Sequence, residues 1–412
     1  MAAVKGLRWW MIGLVMLGAL LNYLTRSTLG VAAPTLLSDL HITEREYSWI
    51  TSIFQGAIML QPLCGLVLDV VGLKAGFAAF AFAWSLISMA HGLARSWPAF
   101  AGLRGLLGLA EGCANPAGMK AVSEWFPARE RGIAGGFYNI GASFGSMLAP
   151  PLVAWAILHY NWQSAFVITG GLGLVWLALW LTLYHSPSDH PRLSAVERGY
   201  IAAGQESHLQ GAGRPSMLDI ARRRNFWGIA VPRFLADPTW GTLTFWVPLY
   251  LSKVRGFDLK QIALFAWLPF LAADLGSMFG GMVVMWLQKR GVDLIDARRW
   301  AFTFGAVLML GVAGVGFVES PYAAIALISL GGFAHQTLSV TVITMASDLF
   351  KRNEVATTAG MAGTFGNAGI LVFNLLMGVL VVKIGYGPFF VSLALLDLVG
   401  AAWLWTVVRV PR

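Results

Sequence analysis

The sequence contains a succession of apolar runs, each long enough to cross a lipid bilayer as an α-helix. Hydrophobic residues make up 57% of the 412 positions and charged residues only 12%, whereas about a quarter of the residues of a typical soluble protein are charged. Intrinsic disorder needs low hydrophobicity and high charge, and a transmembrane β-barrel needs alternating rather than continuous apolar residues. We therefore predict an all-α membrane protein that crosses the bilayer many times.

The polar stretch at residues 186–224 divides these runs into six before it and six after it. This predicts an N-terminal six-helix bundle over residues 1–185, a central loop over 186–224 and a C-terminal six-helix bundle over 225–412. The predicted limits of the twelve spans are residues 8–38, 46–70, 73–95, 97–122, 129–157, 162–185, 225–253, 259–288, 297–317, 321–350, 354–383 and 386–408.

The distribution of Lys and Arg among the loops predicts the orientation of the chain. With the N-terminus inside, about 20 of these residues lie on the cytoplasmic side and about 6 on the outer side, which is the bias that orients membrane proteins. Both termini and the central loop are therefore expected to be cytoplasmic. No small-residue cleavage site follows the N-terminal MAAVKGLRWW, so the first apolar run is expected to remain as a helix.

Several classes of function are disfavoured. The net charge of +9 is spread over short loops rather than gathered in a basic stripe, so we expect no nucleic-acid partner. The two cysteines, Cys64 and Cys113, both lie within apolar runs and predict neither a disulfide framework nor a metal site. No phosphate-binding loop of an ATP-driven pump is present, and no catalytic triad can be placed. We expect no catalytic residues, no enzyme activity and no bound cofactor.

The two halves carry a weak internal repeat at equivalent loops. At one fixed offset the segments EWFPARERGIAGG and DLFKRNEVATTAG share an acid, a Phe, a Glu and a Gly, and each precedes a Gly-rich span. Internal repeats of this kind are typical of secondary transporters, and the alternative is coincidence in a Gly-rich and Phe-rich chain. The matching pairs are Glu124/Asp348, Phe126/Phe350, Glu130/Glu354 and Gly136/Gly360.

The segment GLVLDVVGLK between the second and third spans supplies Gly65, Asp69, Gly72 and Lys74. With six plus six helices and a long middle loop, this pattern resembles the major facilitator superfamily. The resemblance implies that the motif helps to latch the cytoplasmic gate. The chain departs from the pattern at Val70, where a basic residue is usual, which is expected to loosen that latch.

A closer resemblance covers nearly the whole chain. Segments such as NYLTRSTLGVAAPT, PAGMKAVSEWFPARERG and FWGIAVPRFLADPTWGTLTFWVPLYL resemble bacterial hexuronate transporters, in the anion:cation symporter family. The resemblance implies a secondary importer of hexuronates such as galacturonate and glucuronate, driven by co-transported protons and working by alternating access of two rocking bundles. It also implies a monomer in the bacterial inner membrane.

Arg26 lies in the middle of the first span, in LNYLTRSTLG. An arginine at that depth keeps its charge, so it needs a partner or a wet cavity. The functional interpretation is that it binds a substrate carboxylate through its planar fork of N–H donors, and the resemblance places a carboxylate-binding Arg here. The alternative is a structural ion pair.

Arg104 and Glu111 are seven residues apart in the fourth span, which places them on one face of a helix. A partly buried Glu beside a cation has opposed influences on its protonation, so substrate can tip the balance. The resemblance to galactonate transporters makes Glu111 the expected proton carrier, controlled by Arg104. The alternative is a permanent Glu111–Arg104 pair that holds helices together.

Thr25 is the main departure from the family, because galactonate and many hexuronate relatives have an Asp just before this Arg, and in galactonate transporters it takes a proton. Thr cannot titrate, so fewer protons move, another acid serves, or the protein is a uniporter or exchanger. Asp274, within the eighth span, is one candidate acid. Arg233 and Asp237 are spaced for an ion pair, and Asp397 has no assigned role.

Residues within the spans are candidates for contacts with substrate hydroxyl groups or, for Trp240, for stacking on a sugar face. The resemblance favours Asn367, which corresponds to a substrate-contacting Asn in galactonate relatives. For the others, hydrogen bonds or packing between helices are the alternative. The candidate set is Asn22, Tyr23, Gln55, Asn139, Trp240, Gln336 and Asn367.

Three rival functions remain open at this stage. The same fold could carry another organic anion, such as an aldonate like galactonate. It could instead export drugs or metabolites, or act as a sensor without net transport.

Overall fold

The computed structural model describes residues 4–127, 130–203, 216–351 and 354–409. Within these ranges the chain forms nineteen α-helices and no β-strand, as the apolar runs predict. The described residues group into two compact units. The first draws on Met1–Ala32 and Leu60–Ala212, and the second on Ala33–Met59 and Gly213–Arg412. The predicted division into six-helix bundles at the central loop stays a prediction.

The first unit is built mainly from long apolar helices. Its first helix continues past Ala32, so its last turns belong to the second unit. The helices are α1 (Leu7–Asp39), α3 (Gln61–Val71), α4 (Leu73–Ala90), α5 (Trp97–Glu111), α6 (Ala114–Trp125), α7 (Arg131–His159), α8 (Trp162–Leu183) and α9 (Ala195–Ala203).

The second unit contains one helix from the N-terminal half of the chain and ten from the C-terminal half. These are α2 (Glu44–Ile58), α10 (Met217–Arg222), α11 (Arg224–Ala236), α12 (Pro238–Gly241), α13 (Val247–Lys253), α14 (Leu259–Phe265), α15 (Leu268–Lys289), α16 (Leu294–Leu308), α17 (Pro321–Leu349), α18 (Val355–Ile384) and α19 (Gly387–Val407).

Among the described residues, nine helical segments are long and apolar enough to cross a membrane, and the bent pair α2–α3 makes a tenth. The other two predicted spans are broken into shorter pieces. One consists of α5 and α6, which are separated at Gly112 and Cys113. The other runs from α11 through α13. Together these segments match the twelve predicted spans to within a few residues.

The break between α11 and α12 has a clear sequence cause. Pro238 has no N–H to donate, so it interrupts the helical hydrogen-bond ladder and Asp237 becomes the C-cap of α11. A π-helical turn, Thr242–Trp246, follows before α13 begins. Turns of this type recur at functional sites. A hydrogen bond of 2.9 Å from Nε1 of Trp246 to Oδ1 of Asn374 stabilises this turn.

The helix α2 packs closely against α18 within the second unit. A Cβ atom added to Gly378 would lie 2.0 Å from Oγ of Ser48, so only glycine fits at this crossing. The Tyr47 hydroxyl also donates to the Phe245 carbonyl oxygen at 2.7 Å. These contacts explain why α2 groups with the C-terminal helices.

The residues matched in the predicted internal repeat have similar local backbone, while the repeat of two six-helix halves stays a prediction. Phe126 and Phe350 each end a helix with extended backbone, at φ −122° and −123° respectively. Glu130 and Glu354 each begin the next helix, both at φ −101°. The described residues that flank the two loops therefore have the same local backbone, which a coincidence of residue types does not explain.

Each of these two glutamates forms an ion pair with an arginine at the start of a helix, Arg8 in the first turn of α1 and Arg223 at the N-cap of α11. Arg8 contacts Glu130 at 3.3 Å and also Glu197 of α9 at 3.1 Å. Arg223 binds Glu354 with two parallel hydrogen bonds of 2.7 and 2.8 Å. Sequence reasoning did not find these pairs, because the partners lie far apart along the chain.

The Arg223–Glu354 pair leads to a testable prediction on stability. The pKa of Glu354 lies below its ordinary value, chiefly because Arg223 donates to the carboxylate. We expect Glu354→Gln to lower the free energy of unfolding by about 1 kcal/mol at neutral pH. Because the pKa is depressed in the folded state, this stabilisation is complete above about pH 4.3 and is lost as the pH falls through the folded value.

Thermal unfolding of the purified protein in detergent, followed across pH, measures this difference. The wild type and Glu354→Gln should converge as the pH is lowered. Arg222→Ala is the matched control and should leave the free energy of unfolding unchanged. The Arg222 side chain is 72% exposed, and its Nη1 atom lies as far as 4.0 Å from Oδ1 of Asp219. A constant gap between wild type and Glu354→Gln at every pH would contradict the assignment.

Candidate functional site

Four of the residues predicted from the first and fourth spans converge in the first unit. The Nε atom of Arg26 lies 3.2 Å from Oε2 of Glu111, and Nη2 donates to Oδ1 of Asn22, also at 3.2 Å. The guanidinium lies over the Tyr23 ring, 4.4 Å from its centroid. The Glu111 side chain is fully buried, whereas 16% of Arg26 is exposed. The predicted role of Arg26 in binding a substrate carboxylate stays a prediction.

The Thr25 hydroxyl completes the contacts of Glu111. Its Oγ1 atom lies 2.8 Å from Oε1 of Glu111, 2.8 Å from the Asn22 carbonyl oxygen and 3.1 Å from that of Leu21. A hydroxyl has one hydrogen and two acceptor lone pairs. It can therefore donate to an ionised Glu111, or accept from a protonated Glu111 while donating to a carbonyl. Both protonation states of Glu111 keep a hydrogen bond.

Glu111 forms its ion pair with Arg26, where the spacing along α5 pointed to Arg104. Arg104 is fully buried and its Nη1 donates to the Arg26 carbonyl oxygen at 3.3 Å. Arg104 still acts on Glu111 electrostatically. Two arginines thus lie near one glutamate, which gives this site an excess of positive charge.

The glycine and charge motif is placed at the turn between α3 and α4. Gly72 adopts φ +88° and caps both helices, a conformation that favours glycine. Asp69 is largely exposed and accepts a hydrogen bond from Lys120 at 2.6 Å. Gly65 lies against Pro116, and the Lys74 carbonyl oxygen accepts from Trp180 at 2.9 Å. The predicted gating role of this motif stays a prediction.

Two predicted hydroxyl-contacting residues meet in the second unit. Gln55 of α2 donates from Nε2 to Oδ1 of Asn367 on α18, at 2.6 Å. The Asn367 side chain also donates to the Gly363 carbonyl oxygen at 3.0 Å. The two amides satisfy each other here, and their predicted role toward substrate stays a prediction.

The remaining candidates are more scattered. The Trp240 ring lies 5.5 Å from that of Phe270 and 6.3 Å from that of His335, and Gln336 follows His335 on α17. Asn139 is exposed on α7 and Asp274 is half-buried on α15. Their predicted roles in binding and coupling stay predictions. Among the described residues, no cluster of three or more His, Cys, Asp or Glu is suited to hold a metal.

The expected Arg233–Asp237 ion pair is present, with Nη2 2.6 Å and Nε 3.1 Å from Oδ2 of Asp237. It rests directly against α18, because a Cβ atom on Gly366 would lie 1.9 Å from that oxygen and 3.3 Å from Nη2 of Arg233. The ion pair therefore leaves no room for a side chain at position 366.

Gly366→Ala is expected to force the Arg233–Asp237 pair apart and to lower the free energy of unfolding by about 1 to 3 kcal/mol. Gly360→Ala is the matched control on the same helix, since nothing lies within 4 Å of its added Cβ atom. There the better helix propensity of alanine should raise stability by about 1 kcal/mol. Thermal unfolding in detergent compares the two, and an equal gain in both variants would show that the contact is not tight.

Comparison with known proteins gives consistent results. A family described as "Major Facilitator Superfamily" matches residues 15–292. The "Hexuronate transporter" of Escherichia coli K12 is 49% identical over 413 residues, covering 99% of this chain and 96% of that protein. The "Galacturonate transporter" of Dickeya chrysanthemi is 51% identical over 330 residues, covering 79% of this chain and 96% of that protein.

A solved structure has a similar fold. It is a bacterial homolog of the human lysosomal transporter Spinster, in an inward-facing and occupied conformation, with a TM-score of 0.76 and 15% identity. The match covers 99% of this chain and 98% of that chain. At that identity, the likeness concerns the fold alone.

Proposed function

This chain belongs to the major facilitator superfamily, and from that premise we propose that it imports hexuronates such as galacturonate and glucuronate together with protons. The names of the relatives from Escherichia coli and Dickeya chrysanthemi support this substrate class. Transport proceeds by alternating access and changes no covalent bond of the substrate.

The observation that carries the proposal is the Arg26–Glu111 ion pair, buried in the first unit and fastened by Thr25. A hexuronate has one carboxylate, whose two oxygens match the two-donor edge of a guanidinium. Binding therefore requires Arg26 to exchange the carboxylate of Glu111 for that of the substrate. Asn22 and Tyr23 contact Arg26, and we assign them to the hydroxyl groups next to the carboxylate.

Proton coupling follows from this exchange. An ionised Glu111 holds Arg26, whereas a protonated Glu111 releases it for the substrate. If Arg26 left while Glu111 stayed ionised, a fully buried carboxylate would lose its ion pair, which is strongly unfavourable. Substrate and proton are thus bound together, and Thr25 supplies a hydrogen bond in both states.

The protein acts as a monomer in the bacterial inner membrane, with both termini and the central loop cytoplasmic. The bias of Lys and Arg toward one set of loops supports this orientation. A gradient that is more acidic outside then drives protons and hexuronates inward.

Uptake of labelled galacturonate into proteoliposomes tests the proposal, with and without an inward proton gradient. Accumulation that depends on the gradient is expected. Uptake that ignores the gradient would contradict proton coupling and leave a uniporter or exchanger. Competition with unlabelled galactonate separates hexuronates from aldonates: a stronger effect of galactonate than of galacturonate itself would overturn the substrate assignment.

A further inference from the structure

Asp397 lies at the centre of the helix α19. It is separated by ten residues from each end of Gly387–Val407, or about 15 Å at the rise of an α-helix. The hydrocarbon core of a bilayer is about 30 Å thick, so this position is at the middle of the span. The residue is fully buried and therefore faces protein rather than lipid.

The carboxyl group of Asp397 has no hydrogen-bond partner among the described residues. Within the part of the chain that the structure describes, neither Oδ1 nor Oδ2 accepts a hydrogen bond. A carboxylate anion in that setting is very costly, and such groups normally neutralise. Acids are rare within membrane helices and are usually functional where they occur.

Charged groups on the helices that pack around α19 set the electrostatic environment of Asp397. α19 packs on α11, on α16 and on the 3₁₀-helical segment Met309–Gly316. On α11, Gly228 lies against Val408 and Pro232 lies against Gly400, so α11 runs antiparallel to α19 and brings Asp237 to the level of Asp397. Asp237 is itself bound by Arg233. On α17, which also packs on α11, the buried His335 is the titratable group beside the Arg233–Asp237 pair. On α16, Arg299 is bound to Asp296.

Counting these charges gives one permanent cation, Arg233, for two carboxyl groups. A buried cluster of this kind approaches neutrality only if one of the two acids carries a proton. The Arg233 guanidinium already donates two hydrogen bonds to the Asp237 carboxylate, of 2.6 and 3.1 Å. The proton is therefore assigned to Asp397.

We propose that Arg233, Asp237 and Asp397 form a proton-binding site in the second unit, which holds one proton on Asp397 while Arg233 is closed on Asp237. The step is a simple transfer: a proton adds to a carboxylate oxygen of Asp397 and leaves from it. The site supplies a titratable carboxyl group within a membrane span of the second unit.

Infrared absorption of the purified protein tests the charge count directly. At neutral pH the wild type should show the carbonyl stretch of a buried protonated carboxyl, and Asp397→Asn should lack it. Asp237→Asn should lack it as well, because Arg233 then balances Asp397 alone and the proton is released. A protonated band that survives in Asp237→Asn, or is absent from the wild type, would overturn the site.

A second measurement needs no variant. A hydrophobic carbodiimide modifies protonated carboxyl groups within a membrane, and mass spectrometry of the wild-type protein locates the product. Modification is expected at Asp397 and not at the ion-paired Asp237. Modification of Asp237 alone, or of neither residue, would contradict the assignment whether or not Asp397→Asn folds.

The role of this proton in transport rests on the proposed function. With the membrane potential clamped at zero, Asp397→Asn should lower the limiting accumulation of galacturonate by about tenfold per imposed pH unit, while exchange at equal pH persists. Unchanged accumulation would remove the site from coupling. If the wild type takes up no hexuronate although the infrared result holds, the transport function fails and the proton site stands.

Discussion

Replacing Arg26 by alanine is expected to lower the affinity for galacturonate by at least about 100-fold, equivalent to about 3 kcal/mol. Arg26 donates to Glu111 and Asn22, lies over Tyr23 and is only partly exposed. Truncation removes the two-donor edge that matches a carboxylate. Isothermal titration or a ligand-induced shift in melting temperature measures the effect.

Two variants separate binding from folding in this experiment. Arg26→Ala alone leaves the buried Glu111 without its ion pair, so the protein can lose stability for that reason. The double variant Arg26→Ala with Glu111→Gln removes both charges and should fold better, yet still fail to bind. Arg26→Lys keeps the charge without the planar fork and should bind with intermediate affinity.

A control for net charge comes from the same unit. Arg95 is exposed and its Nη1 donates to the Gly92 carbonyl oxygen at 3.5 Å, so Arg95→Ala should bind normally. An unchanged galacturonate affinity in Arg26→Ala would remove Arg26 from the site and make its ion pair purely structural.

The helices could be predicted from the sequence because a membrane span has one dominant requirement, a continuous apolar run of sufficient length. That rule predicted 162–185 where α8 spans Trp162–Leu183. The breaks within the helical spans are marked by weaker sequence signals. Pro238 marks one of them, but nothing in the sequence fixes the π-helical turn at Thr242–Trp246, which depends on packing and on the hydrogen bond from Trp246 to Asn374.

The composition of the candidate site was predictable, and its pairing was not. Helical periodicity places Arg104 and Glu111 on one face of α5, but seven residues span about 10 Å along a helix, too far for a direct ion pair without side-chain bending. The partner that reaches Glu111 is Arg26, 85 residues away in sequence. That contact depends on how α1 approaches α5, which periodicity within one helix does not specify.

Contacts between distant segments were also beyond sequence reasoning in the second unit. Gln55 and Asn367 are 312 residues apart yet hydrogen-bonded. Asp397 had no assigned role because its sequence context is uniformly apolar, and its importance emerges only from its burial and from the charges around it. Tertiary packing decides which cation each carboxyl group contacts.

Glu111→Gln is expected to abolish the proton-driven accumulation of galacturonate, so that the internal concentration settles near the external one, while exchange of internal for external substrate persists. Glutamine preserves the size of the side chain and can still accept from Thr25 and Arg26, but it cannot bind and release a proton. Arg26 then remains available to the substrate in every state, so the substrate crosses whether or not Asp397 carries its proton. Nothing restores the ion pair that completes the empty cycle.

Proteoliposomes measure both activities on the same preparation, with accumulation under an inward proton gradient and counterflow at equal pH. Thr25→Val is the matched control, because it breaks the same 2.8 Å contact with Glu111 from the other side and leaves the acid in place. Accumulation should persist in Thr25→Val and vanish in Glu111→Gln. Equal loss of accumulation and exchange in Glu111→Gln would mean that the residue holds helices together. Normal accumulation would transfer the coupling role to another acid, with Asp274 and Asp397 the first to be substituted.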